Sequence, residues 1–252
     1  MRVGVISDIH GNLVALDAVL RALDREQISE IVCLGDVAAS GPQPREVIER
    51  LQGRRIPIIS GNADAWLVKP KPEPEVDENA QRIVELDLWC RNQLTPGDLE
   101  YLTSFPATKE IFLENLKMFC CHGSPRSNIE RILATTEISS LQSMLSGVTA
   151  DIVACGHTHI QMVRRYMNQV IINPGSVGLP YDVIANVNDE KLEGARMRNP
   201  PWAEFATIGA SNGELEVSLR RTPINREAVI HAAFNSTMPD PEWWTRDWRL
   251  DH

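Results

Sequence analysis

Short runs of apolar, β-branched residues recur along this sequence, and several stop at a glycine beside an aspartate, asparagine or histidine. RVGVI (2–6), EIVCLG (30–35) and IPIIS (56–60) are such runs, each followed by a turn and then a stretch with helical spacing. In the first of those stretches Leu13, Leu16, Val19, Leu20 and Leu23 fall on one helical face. Strands alternating with helices pack as a parallel sheet covered by helices, so the chain is expected to open as an α/β fold. A Pro- and charge-rich connector, KPKPEPEVDE (69–78), reads as a solvated loop. Helices are predicted around 79–91 and 96–103. EIFLENLKMFCCHG then reads as two strands around a Glu114-Asn115 turn. ATIGASNGELEVSL carries Asn212-Gly213, the strongest short-range hairpin signal, so the second half is the more antiparallel.

Composition narrows the function classes. At 252 residues, 43% hydrophobic and 23% charged, the chain can bury one large core, and a single domain is the simpler reading. A net charge of −9 argues against a protein that wraps nucleic acid or lies on an anionic membrane. A small anionic substrate remains compatible, because a bound cation reverses the local field. The opening MRVGVISDIHGN is too short and too interrupted by charge for a signal peptide or a membrane span, so a cytoplasmic protein is expected. The five cysteines show no CxxC spacing, and no disulfide framework is expected.

The polar residues after the strand-like runs carry the chemistry. SDIHGN supplies Asp8 and His10, GDVAASGP supplies Asp36, and SGNADAW supplies Asn62. FCCHGSP adds His122, and ACGHTHIQ adds His157 and His159. Four of the six histidines therefore sit at glycine-flanked strand ends, where α/β folds hold ligands. Imidazole suits borderline metals and carboxylate harder ones, so this mixture points to a pair of divalent cations: Mn²⁺ first, then Fe, Ni²⁺ or Zn²⁺. Residues one apart, as in Asp8-x-His10 and His157-x-His159, point to one side of an extended backbone. Either pair can then chelate one ion or serve two neighbouring ions.

Asp8-x-His10, Gly35-Asp36, Gly61-Asn62, His122-Gly123 and Gly156-His157-x-His159, in that order, resemble the calcineurin-like metallophosphoesterase family in its small bacterial and archaeal branch. The resemblance runs from residue 1 to about 182 and includes NPGSVGLPYD (173–182). It implies a four-layer αββα sandwich with two mixed sheets. It also implies one metal on Asp8, His10, Asp36 and His159, and a second on Asp36, Asn62, His122 and His157, with Asp36 as the bridge. The implied activity is hydrolysis of a small phosphate mono- or diester by hydroxide generated between the metals. Asp36, Asn62 and His122 are the expected catalytic residues, and Asn62 and Arg126 the expected substrate contacts.

Two positions depart from the family pattern. The third block commonly reads Gly-Asn-His-Asp, whose His protonates the leaving group, and here Ala63 replaces it. The second block commonly carries an Asp that orients that His, and here Ala39 stands there. With both absent and all seven ligands kept, the site reads as built without that acid, which favours good leaving groups or another donor such as Asp64. Against the resemblance, residues 183–204, with Arg196 and Arg198, form an insertion that could cover the site. Residues 1–235 are then the single domain, and 236–252 a Trp-rich tail whose Trp243, Trp244 and Trp248 pack on their own domain or on a second subunit. The alternative function is a metal-binding interaction module with little catalysis. A nuclease is disfavoured by the acidic balance and the lack of a basic run.

Overall fold

The first two apolar runs form β1 (Arg2–Ile6) and β2 (Glu30–Cys33), joined by α1 (Leu13–Arg25), in a computed structural model that describes residues 1–71, 77–184 and 196–249. Asn12 caps α1 by accepting the Ala15 N–H at 3.0 Å. A Cβ at Gly4 would press on the Leu23 side chain, so the bare glycine lets α1 lie close on β1. Next come α2 (Pro44–Gly53), α3 (Asn62–Val68), α4 (Glu78–Gln93) and α5 (Pro96–Thr103). The second sheet is built from β3 (Thr108–Leu113), β4 (Leu116–Cys121), β5 (Ile152–Ala154), β6 (Met162–Tyr166) and β7 (Gln169–Asn173), with α6 (Ile138–Met144) between β4 and β5. A short pair, β8 (Asp182–Ile184) and β9 (Arg196–Arg198), precedes the long hairpin of β10 (Trp202–Ser211) and β11 (Glu214–Pro223). Helices α7 (Arg226–Asn235) and α8 (Pro241–Thr245) follow.

The two main sheets are mixed, ordered β11-β10-β1-β2 and β3-β4-β5-β7-β6. Strands β1 and β2 run parallel in one, and β4, β5 and β7 run parallel in the other. Val3, Val5, Val32 and Leu34 of the first sheet meet Met118, Cys120, Ile152 and Ala154 of the second in one buried layer. The alternate residues face outward: Ile6, Ile31 and Cys33 lie beneath α1 and α2, and Cys121, Val153 and Ile171 beneath Leu141 and Leu145. Strands apolar on both faces thus produce the four-layer αββα sandwich.

The Asn212-Gly213 turn is as expected, with φ of 53° and 81°, the paired positive values of a type I′ hairpin. The third apolar run differs from expectation. It joins β2 through a single bridge at Ile58, where Cys33 donates to Pro57 O and Ile59 donates to Cys33 O. Pro57 has no N–H for the next rung, so the ladder stops there.

The tail closes on its own chain. Trp244 and Trp248 join the cluster formed with α1, α2 and α7, and Trp244 Nε1–H donates to Ser40 O at 2.8 Å. Two of the three rings offered above to a second subunit are therefore already covered. All five cysteines are free thiols and buried. Among the described residues no helix is long and apolar enough to cross a membrane. Of the segment 183–204, residues 185–195 and the Arg196 side chain lie outside the described residues, as do 72–76 and 250–252. Arg198 pairs with Asp182 at 2.9 Å.

Trp248 is 0% exposed, so truncating it leaves a large cavity. Trp248→Ala should lower stability to chemical denaturation by about 3–5 kcal/mol. A loss below about 1 kcal/mol would show that the tail does not belong to the core.

Candidate metal centre

The parallel strands of both sheets end at one edge, and the polar blocks leave from those ends. Asp8 follows β1, Asp36 follows β2, His122 follows β4, and His157 and His159 follow β5, while Asn62 opens α3. Backbone hydrogen bonds tie the turns together. Asp8 N–H donates to Gly35 O at 3.0 Å, His10 N–H to Asp36 O at 3.0 Å, and Gly156 N–H to His122 O at 2.6 Å. A Cβ at Gly156 would collide with Ser7 and Asp8, and one at Gly61 with Asp36, so each glycine permits a close approach of loops. The NPGSVG stretch supplies the remaining ties. Asn173 Nδ2 donates to Gly156 O at 2.7 Å, and Ser176 Oγ–H to Asp8 O at 2.7 Å.

Asp8, His10 and His159 form one group and Asp36, His122 and His157 another, with ligand atoms inside each group within 4.8 Å of one another. Asp36 Oδ2 lies 3.8 Å from His10 Nε2 and 3.2 Å from His122 Nε2, so it faces both groups. Asn62 Oδ1 is 3.0 Å from His122 Nε2. Five of these seven residues have positive φ: Asp8 55°, His10 46°, Asp36 54°, His157 66° and His159 56°. That left-handed backbone costs roughly 1–2 kcal/mol per residue. It also corrects the expectation of extended backbone at the two x-spaced pairs. Left-handed turns, not strand geometry, aim these side chains.

Whether cations fit can be judged from the donors alone. His10, His122 and His159 each place Nδ1 on a backbone carbonyl: Ala39 O at 3.2 Å, Leu34 O at 2.7 Å and Leu179 O at 2.8 Å. A carbonyl accepts only, so Nδ1 carries the hydrogen and each neutral ring offers its Nε2 lone pair. His10 Nε2 and His159 Nε2 then face each other at 3.2 Å, and Asp8 Oδ1, fully buried, has no hydrogen-bond partner. Lone pairs set against lone pairs and carboxylates call for positive charge among them, and this N/O set suits divalent ions.

Without metal, protons must supply that charge. Burial pushes His122 down, but the Asp36 and Asp8 carboxylates override it and raise its pKa to about 10. His159 is raised in the same way, chiefly by Asp8. His10 falls to about 4 through burial and the charge of His159. Burial raises both carboxyls, yet the imidazoles hold Asp8 and Asp36 below their ordinary value.

Asp64 does not serve as the alternative acid. Its two oxygens accept the N–H groups of Asp36 at 2.8 Å, Val37 at 2.9 Å and Gly61 at 3.0 Å, binding two ligand loops together. Burial and the Asp36 charge raise its pKa to about 6, but the side chain is fully buried and lines neither cavity at the site. Ala63 directs only its backbone N–H inward, to Asp36 Oδ1 at 2.8 Å. Arg126, expected as a substrate contact, is engaged elsewhere on its own chain. Its guanidinium is held by Glu130 at 2.6–3.0 Å and by Ser143, and it lines neither cavity at the site.

Those cavities, of 490 and 690 Å³, share His10, Ser40 and Ile83. The first is walled by Arg131, Tyr181, Trp243 and Trp244, and the second by Trp66, Lys69 and Asp87. Sequence reasoning missed Arg131, Tyr181 and Asp87 as wall residues. Asp87 alone carried a signal, as a charge on the α4 face that buries Leu86 and Cys90.

The model of the calcineurin-like phosphoesterase superfamily domain matches residues 1–187. An uncharacterized protein of Methanocaldococcus jannaschii is 28% identical over 198 residues, covering 72% of this chain and 78% of the relative. The Escherichia coli phosphodiesterase YfcE is 25% identical over 193 residues, covering 71% and 81%. The crystal structure of a metallophosphoesterase from Sphaerobacter thermophilus superposes with a TM-score of 0.72 at 25% identity, covering 98% of both chains. The order of the polar blocks, the sandwich that gathers them and the match over most of the length agree: the chain belongs to the calcineurin-like phosphoesterase superfamily.

Proposed function

We propose that this protein hydrolyses small phosphate esters, mono- or diesters, at a centre of two divalent cations with Mn²⁺ the first candidate. Asp8, His10, Asp36 and His159 would hold one ion, and Asp36, Asn62, His122 and His157 the other. The observation that carries this reading is the buried meeting of Asp8 Oδ1 with the Nε2 lone pairs, an arrangement that calls for positive charge between them. When bound, the cations supply Lewis-acid neutralisation of phosphoryl oxygens and make water acidic enough to attack near neutral pH.

The chain's own residues do the rest. The carbonyls of Ala39, Leu34 and Leu179 hold three rings in one tautomer. Asp64 holds the Asp36 backbone N–H, and the Ala63 N–H fixes the Asp36 carboxylate. Asn62 presents its carboxamide beside His122 at the rim of the larger cavity, where a phosphate oxygen would accept from Nδ2. The complete ligand set favours a working hydrolase over a module that only binds.

Hydrolysis of an aryl phosphate should require added or retained divalent metal, and exhaustive chelation should abolish it. Activity untouched by chelation would contradict the reading. Asp36→Asn should be among the most damaging single changes, lowering metal content and kcat together, because this carboxylate faces both groups. An Asp36→Asn protein with unchanged metal content would remove Asp36 as the bridge.

Loading should also release protons. Below about pH 10 metal-free His122 is an imidazolium, and a metal must displace its proton to reach Nε2. Apparent metal affinity should therefore rise with pH through the neutral range and fall as pH drops. Calorimetric titrations at pH 7 in buffers of different ionisation enthalpy should show at least one proton released. Loading without proton release would contradict the assignment of His122.

A further inference from the structure

Ala63 and Ala39 remove the acid that the resemblance leads one to expect, and a carboxyl from another element lines the same cavity as Ala63. We propose that Asp87, on α4, is the proton donor to the leaving oxygen. This rests on the hydrolase reading above and adds to it a residue outside the seven ligands.

The larger cavity is lined by His10, Asn62 and Ala63 together with Ile83, Val84 and Asp87 of α4. Asp87 is only 9% exposed, on the helix face that also buries Leu86 and Cys90. Its Oδ1 accepts the Ser40 Oγ–H at 2.8 Å, and it makes no ion pair with any described residue. Lys69 and Lys71 line the same cavity without pairing to it. The titratable groups around it are His10 and Asp36 of the metal groups, Lys69 and Lys71 lining the cavity, and Cys90 along its own helix.

A buried carboxyl without a cation keeps its proton to higher pH than an exposed one. Burial pushes Asp87 up to about 7, the Ser40 hydrogen bonds oppose this, and Asp36 adds a smaller upward push. The Ser40 Oγ–H occupies Oδ1 and the Ser40 backbone N–H also bonds this carboxyl; the donor role assigns the proton to Oδ2. Asp64, the other buried acid nearby, has both oxygens taken by backbone N–H groups.

In the step itself, water oxygen bonds to phosphorus as the P–O bond to the alcohol breaks. The electron pair of that bond stays on the alcohol oxygen, which takes the proton from Asp87 Oδ2 and leaves as neutral alcohol. The water gives up one proton, and Asp87 regains one from solvent, so the cycle consumes only water and ester.

The test compares wild type with Asp87→Asn, both assayed for metal content, on nitrophenyl, phenyl and alkyl phosphates. General acid catalysis is worth about 10²–10⁴-fold when the leaving group is poor. Asp87→Asn should therefore lose at least about tenfold more kcat/KM on the phenyl than on the nitrophenyl ester. On the phenyl ester, wild-type activity should fall as pH rises through the Asp87 pKa, and the variant should lack that alkaline limb. Equal losses across the series, or a retained limb, would overturn the assignment while leaving the hydrolase reading intact. If Asp87→Asn fails to fold or to hold metal, Ser40→Ala decides. Removing a donor to the carboxylate raises the Asp87 pKa, so the alkaline limb should move to higher pH, and an unmoved limb overturns the proposal. A wild-type protein holding two ions that hydrolyses none of these esters overturns the hydrolase reading and this one with it.

Discussion

Carboxylates and imidazole lone pairs crowded at the shared edge of two sheets are the constraint on which the rest of this structure depends. Uncompensated, a buried carboxylate oxygen facing three Nε2 atoms is among the least favourable arrangements a protein can hold. Among the described residues no lysine or arginine pairs with these carboxylates. Instead the chain spends five left-handed residues and several close-approach glycines on holding the groups together. Strain of that kind persists only where the surroundings over-determine it. Here they do so through the Asp64 carboxylate, the NPGSVG ties and the carbonyls that orient the rings.

The sandwich follows from the same demand. One sheet supplies Asp8, His10 and Asp36, and the other supplies His122, His157 and His159. These side chains can meet only if the two sheets pack face to face with their parallel strands ending on one side. Alternation along β4 and β5 then gives each strand one face for the inter-sheet layer and one for the outer helices. Above the site α4 closes one wall of the larger cavity, and the tryptophans of the tail close the smaller one.

Much of this was legible in the sequence. The order of polar blocks after apolar runs, the Asn212-Gly213 hairpin and the helices at 79–91 and 96–103 each rest on short-range chemistry that a sequence displays directly. What escaped depends on contacts distant in sequence. The left-handed turns at Asp8 and His157 are imposed by neighbouring loops, whereas the x-spacing alone reads as extended chain. Arg126 looked like a phosphate clamp until Glu130, four residues on, claimed its guanidinium. Asp64 looked free to donate a proton, but three backbone N–H groups from two loops occupy it. Pro57 announced the weak third strand, since it lacks the donor that the next rung needs.

The central claim is that two neighbouring ions divide these ligands, with His157 and His159 on different ones. Anomalous diffraction from crystals loaded with Mn²⁺ measures this directly. Wild type should show two adjacent peaks, His159→Ala should weaken mainly the one beside Asp8 and His10, and His157→Ala mainly the one beside Asn62 and His122. A single peak in the wild type, or the same peak lost in both variants, would contradict the account.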